Sequence, residues 1–188
     1  MTKKQERGAK PPISEEQQRY MAFDGLIQWT SAVIDQAARV EKATAALGST
    51  IQDSAVTRQL TILRSQTEMH FFAITANKVF EFRDWARSFG LFDNVDFSVL
   101  DQFSRRQIRD LRNMREHVTD YFEGKGNAQH RWQIETPEYQ SDASARVGTM
   151  IGGRLDYARF AESARTLLPE LLKIAPPQVN SPAVPNNN

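Results

Sequence analysis

Apolar residues recur three and four positions apart along most of the chain, the spacing that lines one face of an α-helix. Ser14, followed by Glu15, Glu16 and Gln17, has the pattern of a capped helix start. From there to Leu47 the apolar positions Tyr20, Phe23, Ile27, Ala32, Ile34 and Val40 keep close to helical spacing. Gly48-Ser49-Thr50 makes a break. A second long helix is predicted from about Ile51 to Phe89, carrying Leu60, Leu63, Phe71, Phe72, Ile74, Val79, Phe82 and Trp85. Gly90 stops it in the position a left-handed C-terminal cap prefers. A third begins near Ser98 or Leu100 and ends at Gly124-Lys125-Gly126-Asn127. Its apolar face runs through Leu100, Phe103, Leu111, Met114, Val118 and Phe122, with Gln107 filling a gap.

The period then changes. His130–Glu135 alternates roughly, and Ala145–Ile151 contains β-branched residues. Thr136-Pro137 and the polar stretch to Ser144 separate the two, which together read as a small hairpin or irregular β-flap. After Gly152-Gly153 a last helix is predicted over about Asp156–Ile174, holding Phe160, Ala164, Leu167, Leu168, Leu171 and Leu172. Pro169 is expected to kink or break it. The predicted fold is all-α: an antiparallel bundle of four main helices, with a small β-hairpin-like insertion (about 129–152) before the last one. Residues 1–12 read as a disordered basic leader, 13–175 as a single helical domain, and 176–188 as a disordered tail rich in proline and asparagine.

Composition narrows the chemistry. The 188 residues carry 24 Lys+Arg against 23 Asp+Glu, a balance of +1 that argues against a globally basic nucleic-acid coat. With no cysteine, thiolate nucleophiles, zinc fingers and iron–sulfur clusters are excluded. His70, His117 and His130 form no i, i+4 pair, so neither a metal site nor a cofactor is expected. The polar N-terminus lacks a signal peptide's apolar stretch, and no run of about 18 apolar residues would span a membrane. A cytoplasmic protein is expected.

The informative segment is Ser104–His117, where five arginines (Arg105, Arg106, Arg109, Arg112 and Arg115) face two acids, Asp110 and Glu116, for a local balance of +3. Val118–Ser144 cancels it with −3, so the near-neutral total hides a basic helix face beside an acidic flap. On a helix, Arg106, Asp110, Asn113 and His117 form one stripe, and Arg105, Arg109, Arg112 and Glu116 another. Such a face reads by itself as solvated and laced with i, i+4 pairs such as Arg112 with Glu116 and Arg106 with Asp110. His117 lies beside the apolar face, where a half-buried, orientated imidazole suits general acid–base work.

The order Arg112-Asn113-Met114-Arg115-Glu116-His117 resembles the signature of the HEPN superfamily, an arginine followed by a polar residue and, four to six positions on, a histidine. The resemblance extends to the helical setting. It implies a metal-independent RNA endonuclease acting as a homodimer, with the motif helices of two subunits forming one composite site. His117 would exchange a proton with the ribose 2′-hydroxyl or the leaving 5′-oxygen. Arg112 would hold the scissile phosphate, and Asn113 would position His117 or the phosphate, leaving a 2′,3′-cyclic phosphate. Arg105, Arg106, Arg109 and Arg115 would bind RNA. The family also suggests a toxin–antitoxin or phage-defence role, with an antitoxin or regulatory protein as partner. The alternative implied by the same family is a non-catalytic helical domain that binds nucleotide, RNA or a partner protein.

Overall fold

A computed structural model of the protein describes residues 13–50, 54–125, 130, 132–135 and 140–178. The expected basic leader, the Thr136-Pro137 loop, Arg131 and the tail from residue 179 lie outside them.

Helix α1 spans Glu15–Ser49, and its start is chemically closed. The Ser14 hydroxyl accepts from the Gln17 amide, and the Gln17 side chain accepts from the Ser14 amide, both at 3.2 Å. Helix α2 spans Ala55–Ser88, with the Ser54 hydroxyl accepting from the Thr57 amide. Gly90 follows in the left-handed conformation, φ +68°, and its amide closes on the Arg87 carbonyl at 2.9 Å.

These two helices run antiparallel. Trp29 meets Phe82 with ring centroids 6.3 Å apart, and Gln36 donates to the Glu68 carbonyl (3.0 Å) and carboxylate (2.7 Å). Phe23 stacks on Phe92 just past the end of α2, at 4.9 Å and 10°. Close approach depends on Gly25, since a Cβ there would stand 2.1 Å from the Phe82 ring.

The third predicted helix is divided. Ser98–Leu100 forms only a 3₁₀ turn, and α3 begins after Ser104, whose hydroxyl accepts from the Gln107 amide at 3.3 Å. It ends at Glu116, and a short helix α4, Val118–Phe122, follows the break at His117 (φ −112°, ψ 35°). His117, Val118 and Thr119 are all weak helix formers, so nothing local resists the break. The buried face keeps Leu100, Leu111 and Met114 of the expected one and differs at one step. Ile108, Leu111 and Met114 are buried, and Gln107 is exposed instead of filling the gap. The cap at Ser104 sets the helix's phase independently of Leu100 and Phe103.

The insertion is not one hairpin. Strand β1 (Gln133–Glu135) pairs antiparallel with β2 (Gln140–Asp142), while β3 (Arg146–Val147), β4 (Met150–Ile151) and β5 (Leu155–Asp156) form a separate antiparallel meander. The segments expected to pair with each other pair locally instead, where short loops cost less closure entropy. Gly152 permits the second turn: its φ is +55°, and a Cβ would lie 2.6 Å from Leu111 of α3.

Helix α5 spans Tyr157–Leu172 and runs through Pro169. The helix continues for only three residues past Pro169, with Leu167 and Leu171 buried on either side. Phe160, wholly buried, sits at the centre of the core, with its ring meeting Phe103 (4.8 Å), Phe80 (5.8 Å) and Phe72 (6.3 Å). The structure is thus mostly helical with small antiparallel strands, and among the described residues no helix is long and apolar enough to cross a membrane.

Gly25→Ala tests the packing of α1 on α2. Alanine is the better helix former by roughly 1 kcal/mol, yet the clash with Phe82 should reverse that sign. Urea unfolding followed by circular dichroism should show a net loss of about 1–3 kcal/mol.

Candidate active site

Helix α3 lies antiparallel to α2, fixed at both ends. At its start Arg105 pairs with Asp84, which also holds Arg83 at 2.9 Å. At its end Arg115 is partly buried and reaches two carbonyl oxygens, Ala143 of the insertion (2.5 Å) and Gln66 of α2 (2.7 Å). Burial pushes the Arg115 guanidinium down to about 10, with the charge of Asp142 opposing, so it remains a cation at neutral pH. Asp142 shapes this corner a second way. Its carboxylate accepts from the Ser144 and Ala145 amides at 2.6 and 2.9 Å, a local turn around Ala143. Both terminal nitrogens of Arg115 are therefore used in joining α3, α2 and the insertion.

Arg112 occupies the middle of this contact. Its side chain is 24% exposed, and it pairs with Glu116 at 2.6 Å and with Glu81 of α2 at 3.5 Å. Glu81 in turn accepts from Asn77 and Lys78, each at 2.6 Å. Burial raises the Glu81 carboxyl, but those hydrogen bonds, with the charges of Lys78 and Arg112, outweigh it and hold the group below the ordinary range. Sequence reasoning found the Arg112–Glu116 pair by its spacing and missed Glu81. The signal available was the helical spacing of Asn77, Lys78 and Glu81, which puts three polar groups together on α2.

His117 stands elsewhere. It is 61% exposed at the α3–α4 break, with Nδ1 3.6 Å from the Asp120 carboxylate, and so is not the half-buried group its stripe suggested. The helix break turns it away from the apolar face. Asn113 is half-buried, and its carbonyl accepts from the His117 amide at 2.9 Å. Arg106 is exposed and makes a loose pair with Asp110 at 3.9 Å, while Arg109 is exposed with no ion-pair partner among the described residues. The structure thus gathers Arg112, Glu116 and Glu81 into one ionic cluster and sets His117 with Asp120 at the adjacent corner.

No protein-family model, curated protein or solved structure matches the chain. The site is accordingly read from its own geometry.

A shallow hollow of about 260 Å³ beside the cluster is lined by Leu63, Gln66, Thr67, His70, Arg115 and Ser144. The His70 ring, 5.8 Å from that of Phe71, has its imidazole pKa lowered by burial and by the Arg115 charge, against a smaller opposing effect of Glu116. Trp132 packs against Tyr121 at 6.1 Å and is partly buried, so its face is already occupied within the fold.

Two measurements follow from these contacts. Arg115→Ala removes two charge-assisted hydrogen bonds, each worth roughly 1.5–3 kcal/mol, and should lower the unfolding free energy by that order. For His70 the folded pKa lies below the unfolded value of about 6.5. The native state then resists a proton that the unfolded chain accepts, and stability falls as pH drops below that value. Thermal melts between about pH 7 and 5 should show a decline that His70→Gln flattens; an equal decline in the variant would sink the assignment.

Proposed function

We propose that the protein is a metal-independent RNA endonuclease of the HEPN type that acts as a homodimer in the cytoplasm. The observation that supports the reading best is the open His117 at the end of the basic helix, five residues beyond Arg112. One helix does not aim both side chains at one atom, because five residues turn them about 140° apart; two copies related by a two-fold axis can combine them. The finer architecture that goes with this reading is an antiparallel bundle of four main helices carrying the motif on the third.

In the proposed reaction the ribose 2′-oxygen attacks the adjacent phosphorus, the bond to the 5′-oxygen breaks, and a 2′,3′-cyclic phosphate forms. His117 takes the 2′-hydroxyl proton or supplies one to the leaving oxygen, with the Asp120 carboxylate 3.6 Å from its Nδ1. Arg112 holds the phosphate, and Asn113 positions it or His117. Glu81 and Glu116 compete for that guanidinium in the free protein. A partly exposed i, i+4 pair is worth only about 0.3–0.5 kcal/mol, whereas a bidentate guanidinium–phosphate contact is considerably stronger, so substrate displaces Glu116. Arg105, Arg106 and Arg109 extend the phosphate-binding face, with Arg105 shared with Asp84; Arg115 contributes through position and long-range charge. A toxin or phage-defence setting, with an antitoxin or regulatory protein, belongs to this proposal.

The engagement of Arg112 by two carboxylates favours a second reading, a non-catalytic domain of the same type that binds nucleotide, RNA or a partner protein. Purified protein incubated with generic RNA in EDTA separates the two. The nuclease reading expects cleavage to cyclic-phosphate ends, reduced about 10²–10⁴-fold in Arg112→Ala and His117→Ala, with circular dichroism unchanged. Equal cutting by both variants would sink the site assignment. RNA recovered intact, but bound with an affinity that falls steeply with salt, would favour the binding domain.

A further inference from the structure

The first half of α2 carries an apolar face that the described residues leave uncovered. Val56, Leu60, Leu63 and Phe71 are 70%, 61%, 47% and 48% exposed, and the exposed Thr67 continues their row. Steps of four, three, four and four place all five on one side of the helix, opposite the buried Ser65, Met69, Phe72 and Ala76. No charge interrupts the row over 15 residues, about 22 Å of helix. Every described residue from Ser54 to Leu60 is exposed, so the tip of the α1–α2 pair projects beyond α3, whose end is pinned at the level of Gln66.

We propose that this face of α2 is a self-association surface, on which a second copy of the chain packs its own α2 antiparallel about a two-fold axis between Leu63 and Arg64. The row matches itself in that register. Val56 faces Phe71 of the second copy and Leu60 faces Thr67, a larger side chain meeting a smaller one in each case, and Leu63 is level with Arg64 of the second copy, about 1.5 Å along the helix from its own counterpart. The projecting tip of each copy then lies on the body of the other, beside the hollow of His70, Arg115 and Ser144. An isologous contact needs such a self-complementary patch, and contiguous apolar rows of this length are uncommon on monomers. The two termini are poorly suited to cover it: 1–12 and 179–188 hold only Met1, Val179 and Val184 as sizeable aliphatic side chains.

The axis has a consequence for the candidate site. Arg115 ties the end of α3 to Gln66, two to three residues from the axis, or about 4 Å along α2. A two-fold axis running between the paired helices leaves both α3 helices on the same side. The Arg115 ends of α3 from the two copies thereby approach the axis, whereas the Arg112 guanidinium, paired with Glu81, lies about 17 residues further along α2. The interface does not rest on the nuclease reading.

Sedimentation of the full chain should give about twice 21.4 kDa, and Leu60→Glu combined with Leu63→Glu should give the single-chain mass with an unchanged circular dichroism spectrum. Because the chain has no cysteine, single-cysteine variants report the register. Leu63→Cys should form an intermolecular disulfide with itself; Val56→Cys and Phe71→Cys should form one only when the two chains are mixed. A wild type that remains monomeric at every concentration, a dimer that persists in the double-Glu variant, or Val56→Cys pairing with itself would each overturn the proposal. So would a monomer that binds anionic lipid vesicles through Leu60 and Leu63. A dimer of the stated register that leaves RNA intact sinks the nuclease reading alone; cleavage that survives in the monomeric double-Glu variant separates the activity from this interface.

Discussion

The contact on which the arrangement of this protein turns is the partly buried Arg115 guanidinium between the carbonyls of Gln66 and Ala143. A desolvated cation is tolerable only where its donors are satisfied, and here that requirement binds three parts of the chain at once. Helix α3 is held against α2 at one level, the insertion is closed over the end of α3, and the α3–α4 break at His117 is left at the rim. Gly152 serves the same corner from the other side, since only a residue without a Cβ leaves room for Leu111 there. The positions of Arg112 and His117 follow from this fixed end.

The basic character of α3 is largely consumed within the fold. Arg105 is held by Asp84, Arg112 by Glu81 and Glu116, and Arg115 by backbone carbonyls, leaving Arg106 loosely paired and Arg109 exposed. A local balance of +3 therefore overstates the field such a helix presents. What a phosphate would meet is a guanidinium already orientated by two carboxylates, and a shared hydrogen-bonding geometry of that kind keeps the side chain in place before substrate arrives. His117 is differently supported, by Asp120 from its own short helix, so that the two motif residues answer to separate partners.

The sequence carried the long helices and several of their ends: Ser14 with Gln17, Gly90 after α2, and the Arg112–Glu116 and Arg106–Asp110 pairs all depend on neighbours within four residues. It failed where a local signal was outweighed by the apolar pattern, and where the deciding interaction came from afar. The predicted third helix treated Leu100 to Phe122 as one face, but the cap at Ser104 and the weak helix formers at His117–Thr119 divide it. The expected hairpin gave way to two local ladders. Glu81, Asn77 and Lys78 were missed because their importance arises only when α3 lies beside α2.

Sequence by itself determined a mostly helical chain with no cysteine chemistry and a basic segment ending in an arginine–histidine motif, because periodicity, caps and composition act over one or two turns. Tertiary structure alone decided which of five arginines joins three segments, which acids neutralise the others, and that the apolar row Val56, Leu60, Leu63 and Phe71 faces outward. Helical spacing shows that side chains share a face; what that face meets depends on packing between segments distant in the chain.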